Sequence, residues 1–490
     1  MGVLKKLAGE TAIYGMSTIL ARIINFFFVP IYTRVLTLDE YGSYSEIMSY
    51  IAVLQVVLVL GLETGCFKFA NNNLQESNKP FSTALITVFA TALAFFGITA
   101  IFSTPIANAM GYNGYSKMII YVGAILALDS VTAILFAKLR FEQKALRFAI
   151  FKTIKILSEL GFNLLLFFVV PGYLAQNPDS ILLNFIPATL DFSYIIFAVF
   201  LSCVVCTLLF IPQLFSFEIK FSKKLFKQMM VYSLPLMIAG LPGIINEGFD
   251  RLLFRFFAPE NVVWREDLGE DQAAVKLAVI MNLFIQMFRY AAEPFFFSRG
   301  KNKELLAKVM EYFTAFCMLI FLGVVMYIDI IGLILGKDFR GAIGTVPFML
   351  ISYMILGILF NVSMWYKLSG QTKYAISITL SGLAVTVITN TIFMPIFSYW
   401  ASVAAHVLSG LAMLLYSLYL GNKHYPIPYN WKQICKYIFV ALLIFIVAQT
   451  LCNLLELSLI PKIIVNTLFI LGYLAAALKI SGGLKKIKQI

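Results

Sequence analysis

About fourteen stretches of the 490-residue sequence are apolar and long enough to cross a lipid bilayer, which takes ~20 helical residues. Hydrophobic residues make up 60% of the chain and charged residues 13%, whereas soluble domains carry roughly 45–50% and 25%. The sequence therefore predicts an all-α, polytopic membrane protein of about fourteen transmembrane helices. The predicted spans are 9–33, 46–67, 81–102, 115–137, 148–170, 189–211, 228–257, 273–298, 305–328, 343–366, 374–395, 399–421, 436–455 and 463–480.

The basic residues are placed as in a membrane protein with both termini in the cytoplasm. Most of the 38 lysines and arginines lie in every second loop, beginning with Lys5 and Lys6 ahead of the first span. Basic residues concentrate in cytoplasmic loops, so the opposite orientation is disfavoured. The net charge of +13 follows from this pattern and does not indicate a nucleic-acid partner.

The sequence carries no motif of an enzyme or of an ATP-driven machine. It contains no P-loop, no zinc-ligand pair and no nucleophile elbow. Cys203 and Cys206 have redox or zinc spacing, but no second pair or histidine stands near them, so they are interpreted as small buried residues. The longest outer loops, near 171–188 and 258–272, are too short for a soluble domain, and the second is acidic. We therefore expect a transporter that is not an enzyme and uses no cofactor or metal.

The seventh span, 228–257, combines an apolar sequence with helix breakers and charges. Prolines and glycines in its first half predict a kinked or loosened helix. Its second half carries four charges, each of which costs roughly 2.5–3.5 kcal/mol at mid-depth. Two interpretations remain open: a solute site on a broken helix, or charges at the outer end that reach the headgroups. The four charged residues are Glu247, Asp250, Arg251 and Arg255.

Other charges lie within the predicted spans, and Arg22, midway along the first span, is the deepest of them. Arginine binds phosphate oxygens bidentately and stays charged, so arginines around a cavity suit an anionic solute. The predicted substrate-binding residues are Arg22, Arg251, Arg255 and Arg289. The predicted gate or coupling residues are Glu63, Glu293, Asp250, Glu247, Asp129 and Glu159. The alternative is that some of these charges form structural ion pairs, such as Arg289 with Glu293.

Weak internal similarity relates the two halves of the chain. Glu63 lies near the end of span two, and Glu293 lies at the matching place near the end of span eight. The loops after spans four and ten share a Lys-Leu pair. Spans one to six then correspond to spans seven to twelve, and an even number of spans per repeat makes the repeats parallel. The predicted units are bundles of six helices at 1–215 and 216–424, followed by two extra helices at 425–490.

Four motifs make the chain resemble the polysaccharide-biosynthesis flippases of the multidrug, oligosaccharidyl-lipid and polysaccharide exporter superfamily. The most extended is Thr33-Arg-Val-Leu-Thr-Leu-Asp-Glu-Tyr41-Gly42, after span one. The others are Asp250-Arg251, Ala291-Ala-Glu293-Pro294-Phe295 and Trp365-Tyr-Lys367. The acidic loop 258–272 departs from the family, in which we expect a shorter segment.

This resemblance implies two six-helix bundles around a central cavity lined by spans one, two, seven and eight. It implies transport of an undecaprenyl-diphosphate-linked oligosaccharide, of the O-antigen or capsule type, across a bacterial cytoplasmic (inner) membrane. It further implies a monomer whose last two spans accommodate the lipid tail. The implied partners are the lipid-linked substrate, membrane lipids, a glycan polymerase and glycosyltransferases.

Two alternatives remain besides this function. A multidrug or cation antiporter on the same fold predicts a cavity dominated by carboxylates and aromatic rings, which the intramembrane arginines count against. A membrane enzyme such as a sugar polymerase or ligase predicts a long outer loop with clustered catalytic residues, and the sequence has none.

Overall fold

The structure, a computed structural model, describes residues 2–72, 78–215, 220–299 and 302–481. Every regular element in these ranges is helical, which confirms the predicted all-α class. The helices are α1 Gly2–Val35, α2 Leu38–Val59, α3 Leu62–Asn72, α4 Asn78–Ile101, α5 Ser103–Ala109, α6 Ser116–Phe141, α7 Ala145–Phe168, α8 Val170–Gln176, α9 Ser193–Phe215, α10 Lys223–Phe257, α11 Trp264–Arg299, α12 Lys303–Val325, α13 Ile328–Ile331, α14 Val346–Leu368, α15 Tyr374–Phe397, α16 Tyr399–His424, α17 Trp431–Leu454 and α18 Leu459–Ile480. Short 3₁₀ helices form at Ile181–Asn184, Gly332–Ile334 and Lys337–Thr345.

The number of membrane-spanning helices agrees with the sequence-based prediction. Twelve segments within the described ranges are long and apolar enough to cross a membrane. The two remaining long helices, α1 with 34 residues and α10 with 35, also exceed the ~20 residues that a span requires. The chain is therefore a multi-pass membrane protein.

The chain folds into two compact units. The first comprises the residues up to Phe27 together with Asp39–Leu252. In it α6 packs against α4 and α9, and α7 packs against α9. Apolar helices gain little from association inside lipid, so close packing and polar contacts between helices hold such a unit together. One apolar cluster in this unit centres on Phe81, Phe210 and Leu135.

The second predicted span is interrupted between α2 and α3. Leu60 and Gly61 both have positive φ angles, of 55° and 65°. This left-handed conformation costs a residue with a side chain roughly 1–2 kcal/mol, whereas glycine adopts it readily. The interruption stands directly before Glu63, in the first turn of α3. In contrast, α10 is a continuous helix through Pro235 and Pro242, so the chain is not interrupted there, and the predicted kink stays a prediction.

The second unit comprises Phe28–Leu38 and Leu253 to the end of the described chain. Here α14 packs against α11, α12 and α16, and α15 packs against α16. The last two helices are fastened to this unit, because α17 packs on α12 and the Tyr473 hydroxyl of α18 donates to Ala315 O at 3.0 Å. The predicted limits 1–215, 216–424 and 425–490 stay a prediction.

The end of α1 is bound to the 3₁₀ segments of the second unit by Thr33 and Arg34. The Arg34 guanidinium donates to Leu333 O at 2.7 Å and to Ile334 O at 2.8 Å. The Thr33 hydroxyl accepts a hydrogen bond from Gly336 N at 3.0 Å. We call this set of bonds the α1 clamp. It explains why Phe28–Leu38 belongs to the second unit.

The prediction of an acidic loop at 258–272 is wrong for most of its length. Because α11 begins at Trp264, the acidic residues from Glu266 onward occupy the first turns of a helix, where its dipole favours negative charge. Asp267 accepts a hydrogen bond from the Ser398 hydroxyl, just ahead of α16. Asp271 is buried and accepts from Gln272 at 2.9 Å. This acidic segment therefore fastens helix ends within the second unit.

Candidate functional site

Glu63 forms an ion pair that the sequence did not predict. Its Oε2 accepts from Arg140 Nη2 at 2.5 Å, which joins α3 to the last turn of α6. The Arg140 guanidinium also lies 5.6 Å from the centroid of the Phe67 ring, a cation–π contact. The two charged side chains are 38% and 34% exposed, so the pair is partly solvated. An ion pair beside an interrupted helix suits a gate, the role predicted for Glu63.

Asp129 is paired with Lys155, which lies within the predicted fifth span, 148–170. Lys155 lies within α7, and its Nζ donates to Asp129 Oδ1 at 2.6 Å. Glu159 follows Lys155 by one helical turn and is half-buried. The three side chains form an acid–base–acid cluster inside the first unit. Pairing offsets part of the desolvation that charges at such a depth would otherwise suffer.

A further buried carboxylate, Glu46 on α2, was missed by sequence reasoning. It is fully buried and accepts from the Tyr112 hydroxyl at 2.5 Å. Its place at the predicted start of span two made it resemble a charge at a helix end. The signal available in the sequence was one acidic residue followed by a long apolar run.

The predicted arginines are divided between the two units. Arg22 of α1 and Arg251 of α10 belong to the first unit, and Arg255 and Arg289 belong to the second. Arg289 is exposed and lies 4.9 Å from the ring centroid of Phe360. Arg255 is half-buried. The predicted partners Glu247 and Glu293 lie on α10 and α11, but their side chains fall outside the described part of the structure.

Arg251 and Asp250 differ in their surroundings although they are adjacent. Asp250 is buried, at 1% exposure. Arg251 lies near Tyr41 and Tyr44 of α2, close enough to interact with them electrostatically. Its Nε is buried and has no hydrogen-bond partner within the described ranges. A buried guanidinium nitrogen without a partner is costly and is therefore available to an anionic ligand.

Arg22 stands in a positively charged environment. Its side chain is exposed on the protein surface, and no ion-pair partner for it is found in the parts of the chain that the structure describes. It lies close enough to Lys152 of α7 to repel that amino group. Arg140 and Lys155 repel Lys152 as well, and Glu63 attracts it. Because Glu63 and Asp129 are already paired, this region has a surplus of positive charge that an anion would neutralise. Lys152 was not among the predicted site residues.

The described part of the chain contains no group of three or more histidine, cysteine, aspartate or glutamate residues close enough to hold a metal ion. The polar groups of the candidate site are instead guanidinium and ammonium groups, paired carboxylates and tyrosine hydroxyls. Such an arrangement can bind a phosphate-bearing solute and exchange ion pairs as it does so.

Comparison with known proteins gives one family match and several structural similarities. The sequence model described as "Polysaccharide biosynthesis protein" matches residues 7–300. A structure titled "Lipid II flippase MurJ, inward closed conformation" is similar with a TM-score of 0.71 and 15% identity, over 95% of this chain and 98% of that one. An inward-facing multidrug resistance transporter of the MATE family has a TM-score of 0.61 and 14% identity, over 81% and 93%. No curated protein sequence matches the chain.

Proposed function

Because the chain belongs to the polysaccharide biosynthesis protein family, we propose that this membrane transporter is a flippase for an undecaprenyl-diphosphate-linked oligosaccharide of the O-antigen or capsule type. The fold is that of MurJ and of the MATE transporters of the MOP superfamily. The MurJ structure is titled a lipid II flippase. At 15% identity the likeness supports the fold, and the substrate rests on the residues of this chain.

The observation that carries the proposal is the surplus of positive charge around Arg22 and Lys152. A diphosphate brings about two negative charges that would otherwise cross a medium of low dielectric constant. Arginine satisfies such a group with two parallel charge-assisted bonds, which are roughly twice as strong as neutral ones. Arg251, with its unpartnered Nε, supplies a second guanidinium in the same unit. Arg255 and Arg289 are proposed as further substrate-binding residues.

The acidic residues are proposed to serve the conformational cycle. Glu63, Asp129 and Glu159 are candidates for ion pairs that form and break as the two halves alternate in access. Asp250, Glu247 and Glu293 are proposed for the same role. We further propose a monomer that receives its substrate from glycosyltransferases and delivers it to a glycan polymerase.

Substitution of Arg22 tests the substrate. A fluorescent undecaprenyl-diphosphate sugar is reconstituted with the purified protein in vesicles, and an impermeant quencher measures the fraction that changes leaflet. We expect Arg22→Ala to slow this transfer at least tenfold and Arg22→Lys to retain part of it, because the charge survives and the fork geometry does not. Arg147→Ala, at an exposed arginine in the first turn of α7, is the matched control.

Wild-type transfer by a well-folded Arg22→Ala variant would contradict the proposed site. Coupled uptake of a cationic dye, with no transfer of the lipid, would instead favour the multidrug or cation antiporter. Mass spectrometry of lipids that co-purify with the protein identifies the sugar. Lipid transfer and dye uptake are measured in the same vesicles. Recovery of the protein in the vesicle fraction shows whether a variant has lost its fold.

The membrane is proposed to be the bacterial cytoplasmic (inner) membrane, with both termini in the cytoplasm. Single cysteines at the exposed positions Lys144 and Glu260 of a cysteine-free variant test this orientation. An impermeant maleimide should label position 260 in intact cells and leave position 144 unlabelled. The reverse pattern would overturn the orientation.

A further inference from the structure

A cavity of about 660 Å³ lies in the first unit, where α3 ends and α10 begins. Three lysines line it: Lys68 near the end of α3, and Lys224 and Lys227 in the first turns of α10. The remaining wall includes Val231 and Tyr232. None of these residues belongs to the proposed flipping site, so the cavity is separate from that site.

Close packing of two helices positions this cavity. A Cβ atom on Gly61 would lie 2.7 Å from the backbone oxygen of Ser233, and one on Gly65 would overlap the Ser233 hydroxyl. These glycines let α3 approach α10 as small residues do in membrane proteins. Toward the end of α3, long side chains replace the small ones. The two helices therefore leave an open cavity beside this close contact.

The cavity carries three positive charges that have no counterion among the described residues. No ion pair to Lys68, Lys224 or Lys227 is found among the residues that the structure describes. Lys224 and Lys227 are three residues apart on α10 and share one face of the helix. The Lys68 amino group lies 3.6 Å from the ring centroid of Tyr232, so a cation–π contact holds it beside the cavity. Three neighbouring ammonium groups repel one another, and an anion between them would remove that repulsion.

The apolar wall shows which kind of anion fits. Val231 is 71% exposed on α10, a 35-residue helix that is long enough to cross a membrane, so we expect its side chain to face acyl chains. The span that contains α3 ends at Ala70, two residues beyond Lys68, which puts the lysines at the level of the headgroups. Basic pockets at this level between transmembrane helices suit lipids with anionic headgroups. A ligand that combines a phosphate with an acyl chain would contact both the lysines and Val231.

We propose that this cavity binds the phosphate headgroup of an anionic membrane lipid, at a site separate from Arg22. The three lysines contact the phosphate, Tyr232 positions Lys68, and Val231 contacts the first methylene groups of an acyl chain. The inference does not depend on which solute the protein transports.

Native mass spectrometry of the full chain in detergent tests the proposal, with phosphatidylglycerol as the anionic probe and phosphatidylcholine as the zwitterionic one. The variant Lys68→Gln/Lys224→Gln/Lys227→Gln should bind phosphatidylglycerol at least tenfold more weakly than the wild type. The control Lys423→Gln/Lys432→Gln/Lys436→Gln removes the same charge at exposed helix ends of the second unit and should change binding less than twofold. Added salt should weaken the wild-type interaction, because exposed charges are screened.

Single substitutions keep the test informative if the triple variant fails to fold. Tyr232→Leu removes the ring beside Lys68 and should weaken binding several-fold, whereas Tyr232→Phe should not. Equal losses in the two triple variants, or equal binding of phosphatidylcholine, would overturn the proposal. Millimolar inorganic phosphate that displaces the lipid and itself stays bound would show that the cavity binds a free anion. That result would contradict the proposal of a lipid ligand.

Discussion

The two units connect their helices by different means. In the first, charged pairs join neighbouring helices: Lys155 of α7 with Asp129 of α6, and Arg140 of α6 with Glu63 of α3. In the second, one ion pair joins Lys462 of α18 to Asp329 of α13, and neutral groups make further contacts between helices. The Trp365 indole of α14 donates to the Ser417 hydroxyl of α16 at 3.2 Å, and the Tyr473 hydroxyl of α18 donates to a backbone oxygen of α12.

This difference separates the chemistry of the two units. Ion pairs inside a membrane protein can be exchanged for a charged ligand or a proton, whereas neutral hydrogen bonds mainly fix geometry. Tyr429 illustrates the second case, because burial raises the pKa of its hydroxyl and keeps it a neutral donor to Asn361 O at 3.4 Å. We infer that the first unit responds to charge and that the second supplies a stable frame.

The largest effect is expected at Lys155, whose ion pair with Asp129 joins α7 to α6. Lys155→Met leaves Asp129 without its cation, and we expect a loss of stability of about 3 kcal/mol, at the lower end for a buried pair because the side chains are 23% and 25% exposed. Thermal unfolding of the detergent-solubilised protein measures it.

A second variant shows whether the loss at Lys155 comes from the orphaned carboxylate. Lys155→Met/Asp129→Leu should recover most of the stability, because no unpaired charge remains. Additive losses in this double-mutant cycle would mean that the two side chains do not interact. The inference that ion pairs hold helices of the first unit together would then be contradicted.

An intermediate effect is expected at Arg34 in the α1 clamp. Arg34→Ala removes the charged donor from three backbone carbonyls, those of Pro30, Leu333 and Ile334. A hydrogen bond from a charged group contributes about 1.5–3 kcal/mol. We expect a loss of about 2 kcal/mol, given that the side chain is exposed. Proteolysis at the 3₁₀ segments should quicken in step with the lower melting temperature. Arg34→Lys should restore only part of the stability, since one ammonium group cannot reproduce the fork. Unchanged proteolysis would show that the segment holds itself in place.

The smallest effect is expected at the neutral contact of Trp365. Ser417→Ala removes the acceptor of its indole N–H, and a neutral hydrogen bond contributes about 1 kcal/mol. Transport should remain at the wild-type rate in this variant, with a small decrease in melting temperature. A transport defect larger than the stability defect would assign the second unit an active part in the cycle.

Much of this architecture can be predicted from the sequence, because a bilayer demands long apolar helices and basic loops. The approximate number of spans follows from that demand, whereas the depths of Arg22 and Asp129 in the membrane stay predictions. The partners do not follow. Lys155 lies in the predicted fifth span, and only the packing of α6 against α7 puts it beside Asp129.

Two further differences have local causes. The interruption at Leu60 could not be predicted, because leucine disfavours the left-handed conformation that it adopts there. The segment 258–272 lies between two predicted apolar spans, which predicts a loop, whereas its acidic residues also favour the start of a helix. Composition alone cannot distinguish the two when no apolar periodicity accompanies the charges.

The α1 clamp has a consequence for how this sequence can vary. Thr33 and Arg34 bind backbone atoms of residues 333–336, so the bonds do not depend on which side chains those positions carry. Leu333 and Ile334 could drift in evolution without loosening the attachment. Gly336 could not, because a Cβ atom there would overlap the carbonyl group of Thr33. Thr33, Arg34 and the distant Gly336 thus specify this long-range connection, whereas the side chains of Leu333 and Ile334 can vary.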